Sequence, residues 1–491
     1  MSQANTIDRT PPQAKLIIGD KELTSASGGT YTHINPATGM AQAEIPLAGA
    51  TEINEAVTCA KSAFQIWKNT PPTKRRDCLN KLADLIIENA TEFQRLATIE
   101  GGTPFTMAAG GTMLAEEWTR YYAGWADKLA GEVVSHTPGQ ELIYTVPEPY
   151  GVIGIIITWN GPLISLGMKV APALAAGNTV VIKPAEQTPF VASLFAQLAL
   201  KAGIPAGVIN VLPGSVESAQ ALIGHQDVEK VSFTGGPITA RKILAQCAEL
   251  LKPAVMELGG KSASIVFDDA DISETAQQAV LMSVSLLSGQ GCELPTRLLV
   301  QDTIYDQLVE AIVNISNHLQ IGDPWDPQTA VGPLINEAAC ERVLGMINQA
   351  KNSGSGRLVA GGERAHLEGD LAGGCFIKPT IFTDVDPQSE IAQNEVFGPV
   401  LVIHKFSTEE EAIEIANSTH YGLGGYIRTK DVKRAHRVAA ALKTGFVHIN
   451  GSRNIPACAP FGGLGLSGFG KEGGRAGLDE FVFLKSVSLA P

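Results

Sequence analysis

The sequence predicts an α/β protein built on parallel sheets, with a small antiparallel β element added at an edge. Three observations predict it. From residue 151 onward, short continuous apolar strands alternate with helices, the pattern of a parallel sheet covered on both faces. The chain has 491 residues, and domains usually run to ~100–200, so two or three units are expected. Residues 131–150 and the C-terminal EFVFLKSVSLAP alternate like strands, stand apart from either α/β series, and need a sheet edge to pair with, in this chain or on another subunit.

Residues 1 to about 50 alternate polar and apolar positions between turns (INPATGMAQAEIP), which reads as short strands. From 51 to about 130 the period becomes helical. Ala50-Thr51-Glu52 opens one helix, and RRDCLNKLADLIIENATEFQRLATIE carries apolar residues at i, i+3 and i+4. Residues 131–150 read as a hairpin around His136-Thr137-Pro138-Gly139. GVIGIIIT, NTVVIKP, INVLPG and KVSFTGG then read as strands, with LGMKVAPALAAG, FVASLFAQLALKAG and ESAQALIGH as the helices between them. A second α/β series runs from about 260 to 450. There is no internal repeat and no low-complexity segment.

Composition narrows the function classes. Hydrophobic residues make up 44% and charged residues 18%, as in ordinary globular proteins. The 37 Lys plus Arg face 50 Asp plus Glu, a formal net charge of -13. That argues against general affinity for nucleic acid or anionic membrane, and leaves open an anionic ligand held locally. No apolar run reaches the ~18–20 residues of a membrane span; YGVIGIIITW stops at Asn160-Gly161-Pro162. MSQANTIDRTPPQAKL lacks the basic start and apolar block of a signal peptide. The seven cysteines (59, 78, 247, 292, 340, 375 and 458) are scattered and form no C-x-x-C. Neither a disulfide framework nor a metal site is expected, and a reducing cytoplasm is the expected setting.

Several stretches can carry chemistry. SLLSGQGCELPTRLLV puts Cys292 between Gly291 and Glu293, at the joint between a helical run and a strand, where a packing cysteine has no reason to be. Gly463-Leu-Gly465-Leu-Ser-Gly468 and Gly468-Phe-Gly470-Lys-Glu-Gly473 both match G-x-G-x-x-G. Neither joins a buried strand directly to a helix, so neither is read as a phosphate loop. In KVSFTGGPITARKILA a strand ends in Thr234-Gly235-Gly236 and a helix begins near Pro237. This is either a phosphate-binding helix start or an ordinary tight turn. Lys183 and Glu186 follow the end of another strand, as ribose ligands or as a solvated pair. Glu257, before Leu258-Gly259-Gly260, is either a general base or a surface acid. Trp159-Asn160 ends a strand, where the amide either stabilises an oxyanion or shapes a turn.

Together, Trp159-Asn160, Lys183-Pro-Ala-Glu186, Phe233-Thr-Gly-Gly236, Glu257-Leu-Gly-Gly260, Gly289-Gln-Gly-Cys292, Glu395-Val-Phe-Gly-Pro399 and PFGGLGLSGFGKEGG resemble the NAD(P)-dependent aldehyde dehydrogenase superfamily, in that family's order and over nearly the whole chain. The resemblance implies a Rossmann-like nucleotide-binding domain (1–130 and 151–258), an α/β catalytic domain (259–465) and a small β oligomerisation element (131–150 and 477–491), assembled as a homodimer or homotetramer. It implies Cys292 as nucleophile, Asn160 as oxyanion donor, Glu257 as general base, and Lys169 with Glu472 as a proton relay. Lys183 and Glu186 would hold the adenine-side ribose and Glu395 the nicotinamide ribose, with Phe397 nearby. Thr158, Trp159, Gly235, Gly236 and Leu258 complete the cofactor set. NAD is expected over NADP, because Glu186 accepts from a ribose diol and repels an added phosphate.

The resemblance also explains the thiol. Hydride cannot leave an electron-poor aldehyde carbon; adding a thiolate makes a thiohemiacetal that can expel it, and the thioester left behind is readily hydrolysed. Gly161, Ser165, Met168, Gly291, Ile455 and Phe461 fall where the family lines its aldehyde tunnel. The small residues among them favour a bulky apolar aldehyde, aromatic or unsaturated and terpenoid. Met168 stands where some semialdehyde-specific members carry arginine. Arg453, in NGSRNIP, either lies at the tunnel mouth to recruit an acidic substrate or is a solvated loop residue, the latter being expected. Thr158 stands where proline is common, Gly161 where a bulky residue is usual, and Gly236 where serine is common. Glu293 follows the nucleophile, where small or neutral residues are usual, and is expected to point away from the thiol. The alternatives are a CoA-acylating or semialdehyde-specific dehydrogenase of the same fold, or a cysteine thioesterase or hydrolase.

Overall fold

Runs of Val and Ile build strands with no face for water. In the computed structural model, which describes residues 7–135, 139–451 and 455–491, β7 (Val152–Ile156), β8 (Thr179–Lys183) and β9 (Ile209–Val211) are buried along their whole length. They lie in an eight-stranded sheet of order β19-β11-β10-β7-β8-β9-β1-β2, completed by β1 (Leu16–Ile18), β2 (Lys21–Leu23), β10 (Val228–Gly235), β11 (Ala254–Leu258) and β19 (Gly468–Phe469). The central pairings are parallel, as the sequence predicts. The edges are antiparallel: β1 on β9 and β2, and β19 on β11. The second G-x-G-x-x-G thus starts on an edge strand. A Cβ on Gly468, at φ +100, would fall 1.9 Å from the Met256 carbonyl oxygen.

A second sheet has the order β14-β15-β16-β13-β12-β17-β18. Its strands are β12 (Ala263–Val266), β13 (Arg297–Gln301), β14 (Arg357–Ala360), β15 (Thr380–Thr383), β16 (Val400–Phe406), β17 (Gly424–Arg428) and β18 (Phe446–Ile449). All pair in parallel except β14 on β15. A two-stranded ribbon joins β3 (Thr30–Ile34) to β4 (Ala41–Pro46). The third sheet has the order β20-β6-β5, from β5 (Val133–Val134), β6 (Leu142–Pro149) and β20 (Val482–Leu489). β20 pairs antiparallel with β6 from Val482↔Pro149 to Leu489↔Leu142. The tail therefore finds its edge in its own chain. β5 pairs with β6 as a hairpin requires; His136, Thr137 and Pro138 of its turn lie outside the described residues.

The amphipathic helices α1 (Ala50–Trp67), α2 (Pro72–Glu88), α3 (Ala90–Gly101) and α4 (Phe105–Ala123) form a cap. α1 packs on β8, and α4 on α5 (Pro162–Ala176), α2 and α3. α5 starts at Pro162, ahead of the expected Leu166, because proline suits a first helical turn. α6 (Phe190–Lys201), α7 (Val216–Gly224) and α8 (Pro237–Glu249) make the other crossovers, and α9 (Ile272–Val280) follows β12. The parallel strands β7, β8, β10 and β11 end on one side of their sheet, where ligands of open α/β sheets sit. The residues from Thr158 to Asn160, Lys183 to Glu186, Gly235-Gly236 and Glu257 to Gly260 follow or close those ends.

Candidate active site

The turn that carries Cys292 is strained. Past α9 the chain makes one π-turn (Leu281–Ser285) and a short 3₁₀ turn (Leu286–Gly289) in which Leu287 and Ser288 have φ of 50 and 52. Left-handed backbone is costly for such residues and persists where surroundings hold it. Here Ser288 Oγ donates to the Gly332 carbonyl at 2.9 Å, and Gln290 Oε1 accepts from Ile335 N at 3.0 Å. Gly289, at φ +73, admits no side chain: a Cβ would sit 2.1 Å from Gly398 O.

The turn presents Cys292 to an open cavity of about 580 Å³. Every expected pocket residue lines it: Gly161, Ser165, Met168, Gly291, Ile455 and Phe461. Thr158, Asn160, Glu257, Glu293 and Glu472 line it too. Glu257, at the end of β11, is 3% exposed, so it is no surface acid. The Cys292 thiol donates to Glu257 Oε1 at 3.6 Å. Burial raises both groups well above their ordinary values. Glu257, Glu293 and Glu395 push the thiol further up, and Glu472 does the same to Glu257. Glu293 is buried and faces the cavity. This corrects the expectation that it points away from the thiol: from its buried position the Glu293 charge acts on Cys292.

Asn160 is held at both ends of its amide. Thr158 Oγ1 donates to Asn160 Oδ1 at 2.6 Å, and Asn160 Nδ2 donates to the Gln290 carbonyl at 2.9 Å. The threonine that departs from the family's proline thus fixes which way the amide points, and one N–H of the Nδ2 group remains. Lys169 on α5 is 1% exposed; its Nζ donates to Ser232 Oγ at 3.1 Å and pairs with Glu472. Glu472 and Phe461 exchange backbone hydrogen bonds of 2.5 and 2.7 Å, so the acid paired with Lys169 and a residue of the cavity wall share one bridge.

The expected cofactor residues gather at the strand ends. Lys183 Nζ lies 3.6 Å from Glu186 Oε2, and burial lowers the lysine pKa. Lys183 is 7% exposed while the Glu186 side chain keeps 31%, so the pair is solvated on its acid side only. Gly236 caps α8 with no side-chain hydrogen bond, and a Cβ there would meet nothing within 4 Å. A helix start with free N–H groups and open space in front suits a diphosphate. Glu395 Oε1 accepts from Gly260 N at 2.9 Å, and a Cβ on Gly259 would fall 2.1 Å from Glu395 Oε2. Burial pushes the Glu395 carboxyl up to about 7. Phe397, at φ 51, sets its ring edge-on to Trp159 at 5.4 Å. Leu258 is buried beside them and donates its N–H to Ser467 O at 3.2 Å. These residues fit a nicotinamide dinucleotide: two carboxylates for ribose diols and an uncapped helix for the diphosphate.

Sequence reasoning missed Ile164, Leu287 and Leu294 as cavity walls, and Gln290 and Ser232 as supports. Only Gln290, between two glycines beside the thiol, carried a signal. Arg453 lies outside the described residues.

The family model described as the aldehyde dehydrogenase family matches residues 23–487. The chain belongs to the aldehyde dehydrogenase family. It is 41% identical over 475 residues to an aldehyde dehydrogenase of Emericella nidulans, covering 96% of this chain and 94% of that one. It is 38% identical to the mitochondrial succinate-semialdehyde dehydrogenase of Arabidopsis thaliana, covering 96% and 88%. The NAD+ complex of an aldehyde dehydrogenase from Bacillus cereus superposes with a TM-score of 0.94 at 39% identity, covering 98% and 97%. An E. coli NADP dependent enzyme superposes at 0.93 with 35% identity, covering 98% of each chain. The aldehyde dehydrogenase fold expected from the motifs is therefore the fold of this family member.

Proposed function

We propose that this aldehyde dehydrogenase family member oxidises a bulky apolar aldehyde, aromatic or unsaturated, to its carboxylic acid, with NAD as acceptor and Cys292 as nucleophile. The observation that carries the reading is the Cys292 thiol hydrogen-bonded to buried Glu257 in a cavity that Asn160 also lines. Glu257 takes the thiol proton, and the thiolate adds to the carbonyl carbon. The remaining Asn160 N–H stabilises the oxyanion; losing one such donor typically costs ~3–4 kcal/mol of transition-state stabilisation. NAD, held by Glu186, Gly235-Gly236 and Glu395, supplies the hydride acceptor when bound. The acyl group is left as a thioester on Cys292, and Glu257 then activates the water that releases it. The Lys169–Glu472 pair, both of whose charges act on Glu257 and whose acid lines the same cavity, carries that proton onward.

The acceptor assignment rests on Glu186, which accepts from a ribose diol and opposes an added phosphate; Lys183 offsets part of that repulsion. The substrate reading rests on Gly161, Ser165 and Met168, which leave an apolar volume, each buried CH₂ adding ~0.8 kcal/mol of transfer free energy. Glu257 supports water over CoA as the acyl acceptor, and a cysteine thioesterase or hydrolase, which needs no nicotinamide, would leave Glu186 and Glu395 unexplained. The division of labour is a cofactor domain (1–130, 151–258), a catalytic domain (259–465) and an oligomerisation element (131–150, 477–491), forming a homodimer or homotetramer. Free cysteines throughout the described residues suit a reducing cytoplasm.

The test is NADH and NADPH formation with benzaldehyde, a terpenoid enal, acetaldehyde and succinic semialdehyde, with and without CoA. The expected result is highest kcat/KM for the bulky aldehydes with NAD and no dependence on CoA. A lead of about tenfold for acetaldehyde or succinic semialdehyde overturns the substrate class, and a preference for NADP overturns the role of Glu186.

A further inference from the structure

A second cavity, about 810 Å³, opens beside the catalytic one between α3, α4 and the start of α5. Asn160, Gly161, Ile164 and Leu287 line both. Gly161 has no side chain to divide them; a Cβ there would crowd Ile164 Cγ2 at 3.0 Å. Two more glycines keep the space open. Gly110 and Gly111 lie in the interior of α4, where glycine weakens a helix. Both line this cavity, and a Cβ on either would meet nothing within 4 Å. The sequence gives up helix stability and packing at one place, and the result is open space that adjoins the catalytic cavity, with the exposed Gly110 on its solvent side.

The walls are largely apolar, with Phe93, Met107, Leu114 and Leu163 among them. Thr103 and Asn160 interrupt them, and so do three polar residues that are almost wholly buried. Glu100, Thr112 and Thr188 are 1%, 1% and 0% exposed. Glu100 Oε1, Thr112 Oγ1 and Thr188 Oγ1 have no hydrogen-bond partner in the protein. Buried polar groups are nearly always paired, so three in the wall of one cavity call for a partner from outside the fold. Glu100 is firmly held: its Oε2 accepts from Phe190 N at 2.7 Å and Val191 N at 3.3 Å at the start of α6. Burial pushes its carboxyl up to about 8, so near neutral pH the proton rests on the other oxygen, which becomes a donor.

We infer that this cavity receives the tail of the aldehyde and that the tail carries a neutral hydroxyl, bound by Glu100, Thr112 and Thr188. The inference rests on the aldehyde-oxidising reading above. A charged tail is excluded by the walls. Glu100 is the one ionisable group among the described lining residues, and burial holds it neutral, so the walls offer no countercharge to a carboxylate or an ammonium. A hydroxyl both donates and accepts, which suits a carboxyl and two threonines.

Hydroxycitronellal and dihydrocitronellal differ by one distal hydroxyl and test the inference. The native chain is expected to favour hydroxycitronellal in kcat/KM by about tenfold. Thr112→Val and Thr188→Val should each bring that ratio to one or below, since an unpaired hydroxyl in an apolar cavity is unfavourable. Gly111→Leu, which adds a good helix former into open space, should lower both values by about tenfold relative to acetaldehyde. A native ratio of one with efficient turnover of dihydrocitronellal overturns the hydroxyl inference alone. A native ratio that survives both threonine variants also overturns it, because the hydroxyl is then read elsewhere. If dihydrocitronellal is oxidised less well than acetaldehyde, the bulky-substrate reading falls, and this inference with it.

Discussion

Cys292 sits among three carboxylates, Glu257, Glu293 and Glu395, in a site that burial has largely dried, and both effects hold its proton on. Glu257 at 3.6 Å is the group that can remove it, and its own raised pKa makes it a stronger base than an ordinary carboxylate. Cys292→Ala should abolish NAD reduction while NAD still binds, measured by turnover and by fluorescence titration; substantial turnover by the variant moves the chemistry to another residue. Glu257→Gln separates the half-reactions. Because Glu257 accepts the thiol hydrogen bond and is proposed to take that proton, the variant should lose the burst of NADH as well as steady turnover. A burst of about one NADH per site followed by ~10²–10⁴-fold slower turnover would confine Glu257 to the water step. Because both groups hold protons, native kcat/KM should rise toward alkaline pH.

The strand ends set the next scale. β10 and β11 run in parallel register, Thr234 beside Glu257 and Gly235 beside Leu258, so the proposed phosphate turn and the proposed general base stand on neighbouring strands. Glu395 reaches the same place by packing on Gly259, where any side chain would displace it. Its carboxyl is raised to about 7 by burial. The ionised form is the better acceptor for a ribose diol, so the KM for NAD should fall as pH rises through about 7, and Glu395→Gln should flatten the profile. The sign for stability is opposite. The folded chain binds this proton more tightly than the unfolded one, so the contribution is fully present below the ordinary carboxylate pKa of 4.5 and is lost as pH rises through about 7. A KM for NAD that is independent of pH in the native chain would remove Glu395 from the ribose.

At the scale of the molecule, the tail closes a sheet that the rest of the chain leaves open. β20 pairs with β6 along its length, while Leu142, Leu484 and Leu489 stay exposed on that small sheet. Deleting 482–491 exposes the β6 edge and removes the tail strand from the proposed assembly element. The shortened chain should lose assembly mass in size-exclusion chromatography with light scattering. A full-size assembly from the shortened chain would put the interface elsewhere.

The sequence by itself determined the parallel strands, the helices between them and the family, and it singled out Cys292, Glu257 and Asn160 as the candidate nucleophile, base and amide. Apolar runs of β-branched residues have only one way to hide, and the motifs keep their order along the chain. Tertiary structure alone decided that Glu293 turns inward, that Thr158 orients Asn160, and that β20 pairs within its own chain. It also decided that Gly110, Gly111 and Gly161, from two different helices' neighbourhoods, open onto one space with Glu100, Thr112 and Thr188. Periodicity and motifs act between residues close in sequence. These contacts join residues far apart, and their geometry exists only once α4, α5 and the Cys292 turn have packed together.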